Sequence, residues 1–521
     1  MAVRTLTLRI ALIAAVLLLG CLAPAPGPSA PVLVASETAS AKAPSKAEKS
    51  ARDKAAKAAE KFADWCARVG AYDEARRYYS VAAVCTGSID AYLALFRKIA
   101  DKPHSPTEMY DKDKAKERAK LWSKGGKPLL DFIKSTWKSL EIDQAREAMA
   151  IWSLFFRDDE QLMNSGWRWS ERYSLLLPEK DSIKLEMGMI PFRGKWLDKE
   201  ELEATDGNHS VWKARYKISD GRSLLETPAK LRIAYWAMGL ITRFRVFLLA
   251  ETMLALELKL PEVRQPVWLT RTREEYGERM KALGKERGKE YRVGSENGIY
   301  MGQVGAEGCP LIVSMEYQTV DNYSGRSCMY SVSSLMFHEL THQFVTEGRS
   351  WKVDGKWNSS PDLPPSNGYW MREGIASYYQ MFQPLDGSFE LKTSKGYLVN
   401  TRDGEGTLLT HARHAKLGLE RFKPLAVFAN GTRNDFAQGS LDAYGQAVAI
   451  TMYVLEGDDQ SLKTRLLEQC KLVHSFEATE TTFSEVFKGV DLKALDKEVR
   501  GYVGELEVSE VIRGEQFTDD D

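Results

Sequence analysis

The segment SVSSLMFHELTHQFVTE, residues 331–347, is the feature of this sequence that most constrains its fold. His338 and His342 are four residues apart, so on a helix both imidazoles project from one face, one turn apart. Glu339 then lies about a quarter turn away, beside a metal held by the histidines rather than on it. Apolar residues around the motif predict that this helix is buried. An H-E-x-x-H segment on a helix is typical of two zinc ligands and a carboxylate base.

A catalytic zinc has three protein ligands and leaves one position for water. A third histidine soon after the motif is one type of ligand, but residues 343–410 contain no histidine. A glutamate on a later helix is the other type, and the segment WMREGIASYY, residues 370–379, supplies Glu373. We therefore predict Zn²⁺ as the cofactor, His338, His342 and Glu373 as metal ligands, and Glu339 as catalytic base. The alternative is a core helix with two hydrogen-bonded histidines, and a surface carboxylate at position 373.

The two segments are similar to the H-E-x-x-H and W-x-x-E-G-x-A-x-Y stretches of gluzincins such as aminopeptidase N. Residues 225–505 resemble an uncharacterised family of secreted bacterial proteins with a peptidase-MA-like domain, and DAYGQA at 442–447 fits the same pattern. The resemblance implies an α+β fold: a zinc metallopeptidase domain with a small sheet, an active-site helix and a helical C-terminal part. We assign that domain to residues 225–510.

In related gluzincins a tyrosine or histidine stabilises the oxyanion, and Tyr444 is the candidate here; His411 and His414 are further candidates. The interval between the second histidine and the glutamate is longer than in aminopeptidase N. The additional residues, 348–369, predict a surface loop near the cleft. By analogy with the fold, we expect a strand at Leu311–Met315 to pair with an extended peptide at an exposed sheet edge.

The part before this domain has a helical pattern over residues 56–189. Gly70 and the small and aromatic residues that follow it have the spacing of one tetratricopeptide-type (TPR-like) hairpin, with Gly70 at the turn. A generic amphipathic hairpin is the alternative. In either case Cys66 and Cys85 lie toward opposite ends of the hairpin, which argues against a disulfide between them. Residues 190–224 are predicted to connect the two parts, and residues 511–521 form an acidic tail.

The N-terminus has the pattern of an export signal. Arg4 and Arg9 precede a short apolar run, and residues 18–21, LLGC, resemble the lipobox of bacterial lipoproteins, which implies lipidation at Cys21. An ordinary secretory signal is the alternative. Residues 22–55 are rich in Ala, Pro, Ser and Lys and carry almost no large apolar side chain, which predicts a flexible linker. Either interpretation places the mature chain outside the cytoplasm, in the cell envelope or secreted, and only the lipoprotein interpretation gives it a membrane contact, through the lipid anchor.

The composition of the chain restricts the classes of partner that we expect. The chain has 72 Lys+Arg and 72 Asp+Glu, so it lacks the basic surplus that nucleic-acid binders show. Six cysteines are few for an exported chain of this length, and Cys309–Cys328 is the disulfide that we predict. We expect an exported zinc metallopeptidase with a peptide or protein substrate. A non-catalytic envelope binding protein on a peptidase scaffold and a zinc hydrolase of a non-peptide substrate remain open, and the oligomeric state is not predicted.

Overall fold

The computed structural model has a mixed α+β fold in which helices predominate. The described residues are 43–140, 142–286, 298–300, 309–315, 327–349, 352–353, 356–357, 368–385, 388–391, 401–402, 408–409, 415–416, 418–438, 440–475, 477–506 and 516–517. The predicted signal segment, and the part of the predicted linker before residue 43, lie outside this set. The fold class is therefore α+β; the gluzincin-like and TPR-like assignments stay predictions.

The N-terminal part is a helical layer. Its helices are α1 (Lys46–Arg68), α2 (Tyr72–Thr86), α3 (Asp90–Arg97), α4 (Glu108–Leu121), α5 (Lys127–Trp137), α6 (Ile142–Ile151) and α7 (Asp159–Met163). The predicted hairpin is formed by α1 and α2, and its turn is at Gly70, which has a φ of +79°. A Cβ atom at Gly70 would lie 2.1 Å from the carbonyl oxygen of Ser105, so only glycine fits this turn.

The predicted boundary of the linker at residue 55 is wrong, because α1 begins at Lys46. The Ser45 side chain caps the helix by accepting a hydrogen bond from the Glu48 N–H at 3.2 Å. Ala51 and Ala55 are buried in the core although neither is large. The prediction considered only large apolar side chains, whereas alanines stabilise this segment by allowing helices to approach closely.

Short elements connect the helical layer to a five-stranded sheet. They are β1 (Trp167–Ser170), β2 (Leu175–Pro178), α8 (Glu179–Glu186), β3 (Ile190–Phe192), β4 (Lys195–Leu197) and α9 (Lys199–His209). The sheet contains β5 (Tyr216–Ser219), β6 (Ser223–Thr227), β7 (Gln265–Thr270), β8 (Gly298–Tyr300) and β9 (Leu311–Ser314), in the order β5-β6-β7-β9-β8. The boundary at residue 225 is therefore wrong, since β5 lies within the predicted connector and β6 crosses its end. These strands contain polar residues, so their sequence does not show the apolar pattern from which a buried strand is predicted.

The strand predicted to pair with a peptide is not an edge strand. The β9 strand is hydrogen-bonded to β7 in parallel on one side and to β8 in antiparallel on the other. Both of its edges are therefore occupied, and the prediction for Leu311–Met315 is wrong. Among the described strands, β8 lies at the end of the sheet on this side.

A long apolar helix, α10 (Leu231–Thr252), runs through the centre of the molecule. By length and composition it is the one described helix that could cross a membrane, but 94% of its most apolar window is buried inside the protein. It packs against α2, α6, β5 and β6. Such burial is that of a core helix. The helix α11 (Arg273–Glu286) packs against β9 on the sheet.

The remaining helices carry the motifs and the C-terminal part. They are α12 (Met329–Arg349), α13 (Tyr369–Gln380), α14 (Leu425–Ala429), α15 (Arg433–Gln438), α16 (Ser440–Glu456), α17 (Gln460–His474), α18 (Thr482–Val486) and α19 (Leu492–Glu505). Short antiparallel strand pairs lie between and after them: β10 (Ser327–Cys328) with β17 (Gln516–Phe517), β11 (Lys352–Val353) with β12 (Lys356–Trp357), β13 (Phe382–Leu385) with β14 (Ser388–Leu391), and β15 (Thr401–Arg402) with β16 (Leu408–Leu409).

In this part the structure differs from the predicted start of the loop at residue 348 and from the predicted tail at residues 511–521. Gly348 and Arg349 continue α12, because the Arg349 side chain is buried and hydrogen-bonds to Ser475 and to the carbonyl oxygen of Leu256. The predicted loop therefore starts after α12, and its residues 358–367 lie outside the described part. Gln516 and Phe517, within the predicted acidic tail, form β17. One continuous apolar core extends from Ala51 to Leu506 and joins the helical layer to the motif helices.

Candidate metal centre

The motif helix α12 is held in the core by its apolar side chains. Met336, Phe337 and Leu340 are fully buried. The Phe337 ring stacks on Phe244 of α10, with ring centres 4.2 Å apart and an angle of 6° between the planes. This contact fixes the rotation of α12 about its axis, and the adjacent His338 then projects towards α13.

The two predicted histidine ligands and the predicted glutamate lie together. The Nε2 atoms of His338 and His342 are 3.2 Å apart. One carboxylate oxygen of Glu373, Oε2, lies 3.4 Å from Nε2 of His338 and 3.6 Å from Nε2 of His342. Their side chains are only 10%, 12% and 7% exposed, respectively. The structure thus brings together three residues that two separate sequence motifs predicted.

Glu373 reaches this position because α13 packs closely on α16. A Cβ atom at Gly374 would lie 2.6 Å from the Thr451 Oγ1 atom and 3.0 Å from the carbonyl oxygen of Ala447. The glycine that follows the ligand therefore allows a close helix crossing. The E-G pair in the second motif therefore has a physical basis. Glu373 supplies a carboxylate oxygen to the candidate metal centre, and Gly374 sets the distance between α13 and α16.

A glutamine outside both motifs orients His338. The Nδ1 atom of His338 lies 3.0 Å from Oε1 of Gln380, and since Oε1 only accepts, Nδ1 carries the proton. The Nε2 lone pair is then directed at His342 and Glu373, as a metal ligand requires. Gln380 is seven residues after Glu373, on the same face of α13. Helical periodicity could have identified it, but Gln380 was not among the predicted site residues.

The charges at this centre are coupled. Burial by itself lowers the pKa of His338, but a hydrogen bond to Glu373 and the charges of Glu339 and Glu373 outweigh it and raise that pKa above its usual value. Burial by itself raises the pKa of Glu373, but the charge of His342 and hydrogen bonds to both histidines bring it well below its usual range. The cluster therefore combines an ionised carboxylate with a basic imidazole.

The predicted base, Glu339, lies on the adjacent face of α12 and is buried. Its Oε2 atom accepts a hydrogen bond from the main-chain N–H of Tyr300, the last residue of β8, at 2.7 Å. The end strand of the sheet therefore lies directly beside the base. The sequence contains no signal for this contact, because it joins residues 39 positions apart.

The predicted oxyanion donor, Tyr444, lies on α16, and its ring packs on Phe436 with 4.9 Å between ring centres. Phe436 also packs on Tyr369 at 5.5 Å. Burial, the charge of Glu373 and a hydrogen bond to Glu373 raise the pKa of Tyr369. Tyr369, which we did not predict, is therefore a tyrosine in contact with Glu373. The role of Tyr444 stays a prediction, and His411 and His414 lie outside the described residues.

A further buried histidine borders the centre. His474, at the end of α17, is fully buried, and its Nδ1 atom lies 3.3 Å from Oγ1 of Thr346, one turn after His342. Burial and the charges of Arg372 and His342 bring its pKa well below the usual value, so it is neutral. It is the third residue here that sequence reasoning missed, after Gln380 and Tyr369, and no motif marks it.

Two tyrosines of the second motif have structural roles on another face of α13. Tyr378 hydrogen-bonds to Glu456, and both Tyr378 and Tyr379 pack on Phe382. Both residues are buried and packed, and that they take no part in the chemistry stays a prediction. They line a cavity of about 880 Å³ between α2 and α17, which includes none of the predicted site residues.

Two predictions concern the cysteines, and the structure bears on only one of them. Cys66 and Cys85 are buried and free, as expected from their positions toward opposite ends of the hairpin. Cys309 is buried, and its N–H donates to Glu347 at 3.2 Å. The side chain of Cys328 lies outside the described part, so the Cys309–Cys328 disulfide stays a prediction.

The chain matches no protein-family model, no curated protein and no solved structure.

The arrangement of the donor atoms itself tests whether zinc fits. A tetrahedral zinc with bonds of about 2.0–2.1 Å places its ligand atoms about 3.3 Å apart. The three distances within the cluster, 3.2, 3.4 and 3.6 Å, agree with that triangle. Two imidazole nitrogens and one carboxylate oxygen are also the donor set of His₂Glu catalytic zinc sites. His338, His342 and Glu373 are the one group of possible metal ligands found among the described residues.

Proposed function

We propose that this chain is an exported zinc metallopeptidase that hydrolyses peptide bonds. The observation that carries the proposal is the spacing of Nε2 of His338, Nε2 of His342 and Oε2 of Glu373, which fits one tetrahedral zinc. The resemblance of both motifs to gluzincins supports the peptide bond as the target. The N-terminal signal pattern supports export to the cell envelope or beyond.

His338, His342 and Glu373 would hold the metal and leave one position for water. A zinc ion bound there would polarise a carbonyl group and lower the pKa of water from ~15.7 towards ~7. Glu339, one residue after His338, accepts the proton from the attacking water and then returns it to the leaving amine. Tyr444 is the proposed donor to the developing oxyanion.

The test begins with metal analysis of purified protein under non-chelating conditions. We expect about one zinc per chain, as for a single site. His338→Ala and Glu373→Ala remove a ligand, so these variants should lose the zinc. Glu339→Gln and Tyr444→Phe leave the ligand set intact, so both should retain it. A wild-type protein without zinc, or variants that all retain it, would contradict the proposed site.

Activity is tested with a peptide-library digest analysed by mass spectrometry. Wild type should cleave peptides, and Glu339→Gln should lose cleavage because it cannot accept the proton. Tyr444→Phe should slow cleavage by about 100-fold or more, the usual effect of losing one oxyanion donor. Zinc-loaded protein that cleaves no peptide would favour the non-catalytic binding protein or a non-peptide substrate. Equal cleavage by wild type and Glu339→Gln removes Glu339 from the mechanism.

A further inference from the structure

The cavity of about 880 Å³ lies between the helical layer and the C-terminal helices, away from the candidate metal centre. Its walls come from α2, α3 and α4 on one side and from α10, α13, α16 and α17 on the other. The lining residues and their chain neighbours on both sides all belong to the described part. A volume of this size is within the range of about 300–1,000 Å³ that small-molecule sites have.

Ion pairs join the two sides of this cavity. Arg77 of α2 pairs with Glu251 of α10 at 2.6 Å, and Arg97 of α3 pairs with Glu257 at 2.7 Å. Glu257 also pairs with Lys471 of α17 at 3.4 Å. The helical layer and the C-terminal helices therefore contact each other directly around the cavity, and these contacts set the separation of its walls.

Part of the lining is apolar or aromatic. Phe96, Phe155, Leu254, Tyr378 and Tyr379 all line the cavity and are buried in the protein. Contact with such side chains removes the apolar surface of a ligand from water, which favours binding. The cavity therefore suits a ligand with an apolar or aromatic body.

The charged part of the lining has a surplus of positive charge. Each of its carboxylates forms an ion pair with a basic side chain: Asp73, Glu74, Glu251, Glu257 and Glu468. Two of its cations, Arg118 of α4 and Lys463 of α17, pair with no carboxylate of the described residues. They belong to the two opposite sides of the cavity. A negatively charged group in the cavity would therefore meet two positive charges that the protein does not neutralise.

We propose that this cavity binds a small amphiphilic anion. Its apolar body packs on the aromatic and aliphatic side chains, and its carboxylate or phosphate pairs with Arg118 and Lys463. Such a ligand contacts both the helical layer and α13, the helix that carries Glu373. The inference goes beyond the proposed function and does not depend on it, since the cavity includes neither Glu339 nor a predicted metal ligand.

A fluorescence titration with anilinonaphthalene sulfonate, an anion with an aromatic body, tests the site. Lys463→Gln and Arg118→Gln each remove one positive charge, so each should bind the dye about tenfold more weakly than wild type, the effect of one hydrogen bond to a charged group. Lys124→Gln is the matched control, because Lys124 lines a separate cavity beside α1 and α4. This variant should bind the dye as wild type does.

Two further measurements test the shape and the charge of the site. Ala255→Trp places a large side chain in the cavity and should abolish dye binding, with thermal unfolding as the check that the variant folds. Octanoate should displace the dye from wild type, whereas octylamine, which has the same chain and the opposite charge, should not. Unchanged affinity in Lys463→Gln and Arg118→Gln, dye binding by folded Ala255→Trp, or equal displacement by octanoate and octylamine would overturn the inference.

Discussion

At the scale of single residues, the proposed metal centre depends on side chains that surround its three proposed ligands. A histidine holds zinc firmly only if its other ring nitrogen has a partner that fixes the ring and the tautomer. For His338 that partner is Gln380, through a contact of 3.0 Å. Tyr369 has a comparable relation to Glu373, since its hydroxyl hydrogen-bonds to that carboxylate.

We predict that Gln380→Leu weakens zinc binding by about 10–100-fold, the usual effect of losing a residue that orients a ligand. The leucine has a similar volume but accepts no hydrogen bond from Nδ1 of His338. Gln380→Glu keeps an acceptor at the same place and is the matched control. Competition with a coloured zinc chelator measures the affinities. Equal affinity in Gln380→Leu and wild type would show that Gln380 does not orient His338.

At the scale of elements, the centre depends on the crossing of α13 and α16. Glu373 and Gln380 both lie on α13, so a shift of this helix moves one ligand and the partner of another. The crossing is close at Gly374, where Thr451 and the carbonyl oxygen of Ala447 leave no space for a side chain. The distance between two helices thus controls the geometry of the proposed metal site.

We predict that Gly374→Ala lowers the free energy of unfolding by about 1–3 kcal/mol, as expected when a methyl group is forced into a packed contact. Urea unfolding of metal-free protein measures this without the contribution of bound zinc. Zinc affinity should fall as well, because α13 must move away from α16. Gly501→Ala in α19 is the control: open space surrounds that position, so the alanine should stabilise the helix by up to about 1 kcal/mol. Unchanged stability and affinity in Gly374→Ala would contradict the close crossing.

At the scale of the whole molecule, buried ion pairs join the helical layer to the sheet. Glu147 of α6 lies 2.8 Å from Arg52 of α1 and 3.5 Å from Arg245 of α10. Arg245 also pairs at 2.9 Å with Asp220, which lies between β5 and β6. The N-terminal helices and the part that contains the motifs therefore share both an apolar core and a charged network.

We predict that Glu147→Gln lowers the free energy of unfolding by about 3–5 kcal/mol, since it leaves two buried arginines without their shared carboxylate. Thermal and urea unfolding measure the loss. Glu179→Gln, which removes one half of the half-exposed pair with Arg168, should cost less than about 1 kcal/mol. Similar losses in the two variants would show that the buried network does not stabilise the fold.

The same variant has an expected pH dependence. Burial by itself raises the pKa of Glu147, but the charges of Arg52, Arg245 and Arg222 lower it to about 2. A carboxylate whose pKa is lowered by folding stabilises the protein fully above its ordinary pKa, and this contribution is lost as the pH falls. The wild type should therefore lose stability between an ordinary pKa of 4.5 and about 2. The loss over this range should be smaller in Glu147→Gln.

From the sequence alone we predicted three metal ligands and a base, and in the structure the three predicted ligands lie close together. This was possible because the required spacing is local: four residues on one helix for the histidines, and one short segment for Glu373. The helical hairpin with its turn at Gly70 was predictable for the same reason, since a turn in the left-handed region favours glycine.

Only the tertiary structure decided which side chains complete the centre and which strand borders it. Gln380 reaches His338, and His474 reaches Thr346 one turn after His342, because separate helices pack together, and no local pattern encodes that packing. Tyr369 differs, since it lies one turn before Glu373 on the same helix. The end position of β8, and hence the contact of Tyr300 with Glu339, depends on the order of strands in the sheet. Arg52 of α1 pairs with Glu147 of α6 for the same reason, because the two helices pack together only in the folded chain. Such contacts have no sequence signal because they join residues that are close only after folding.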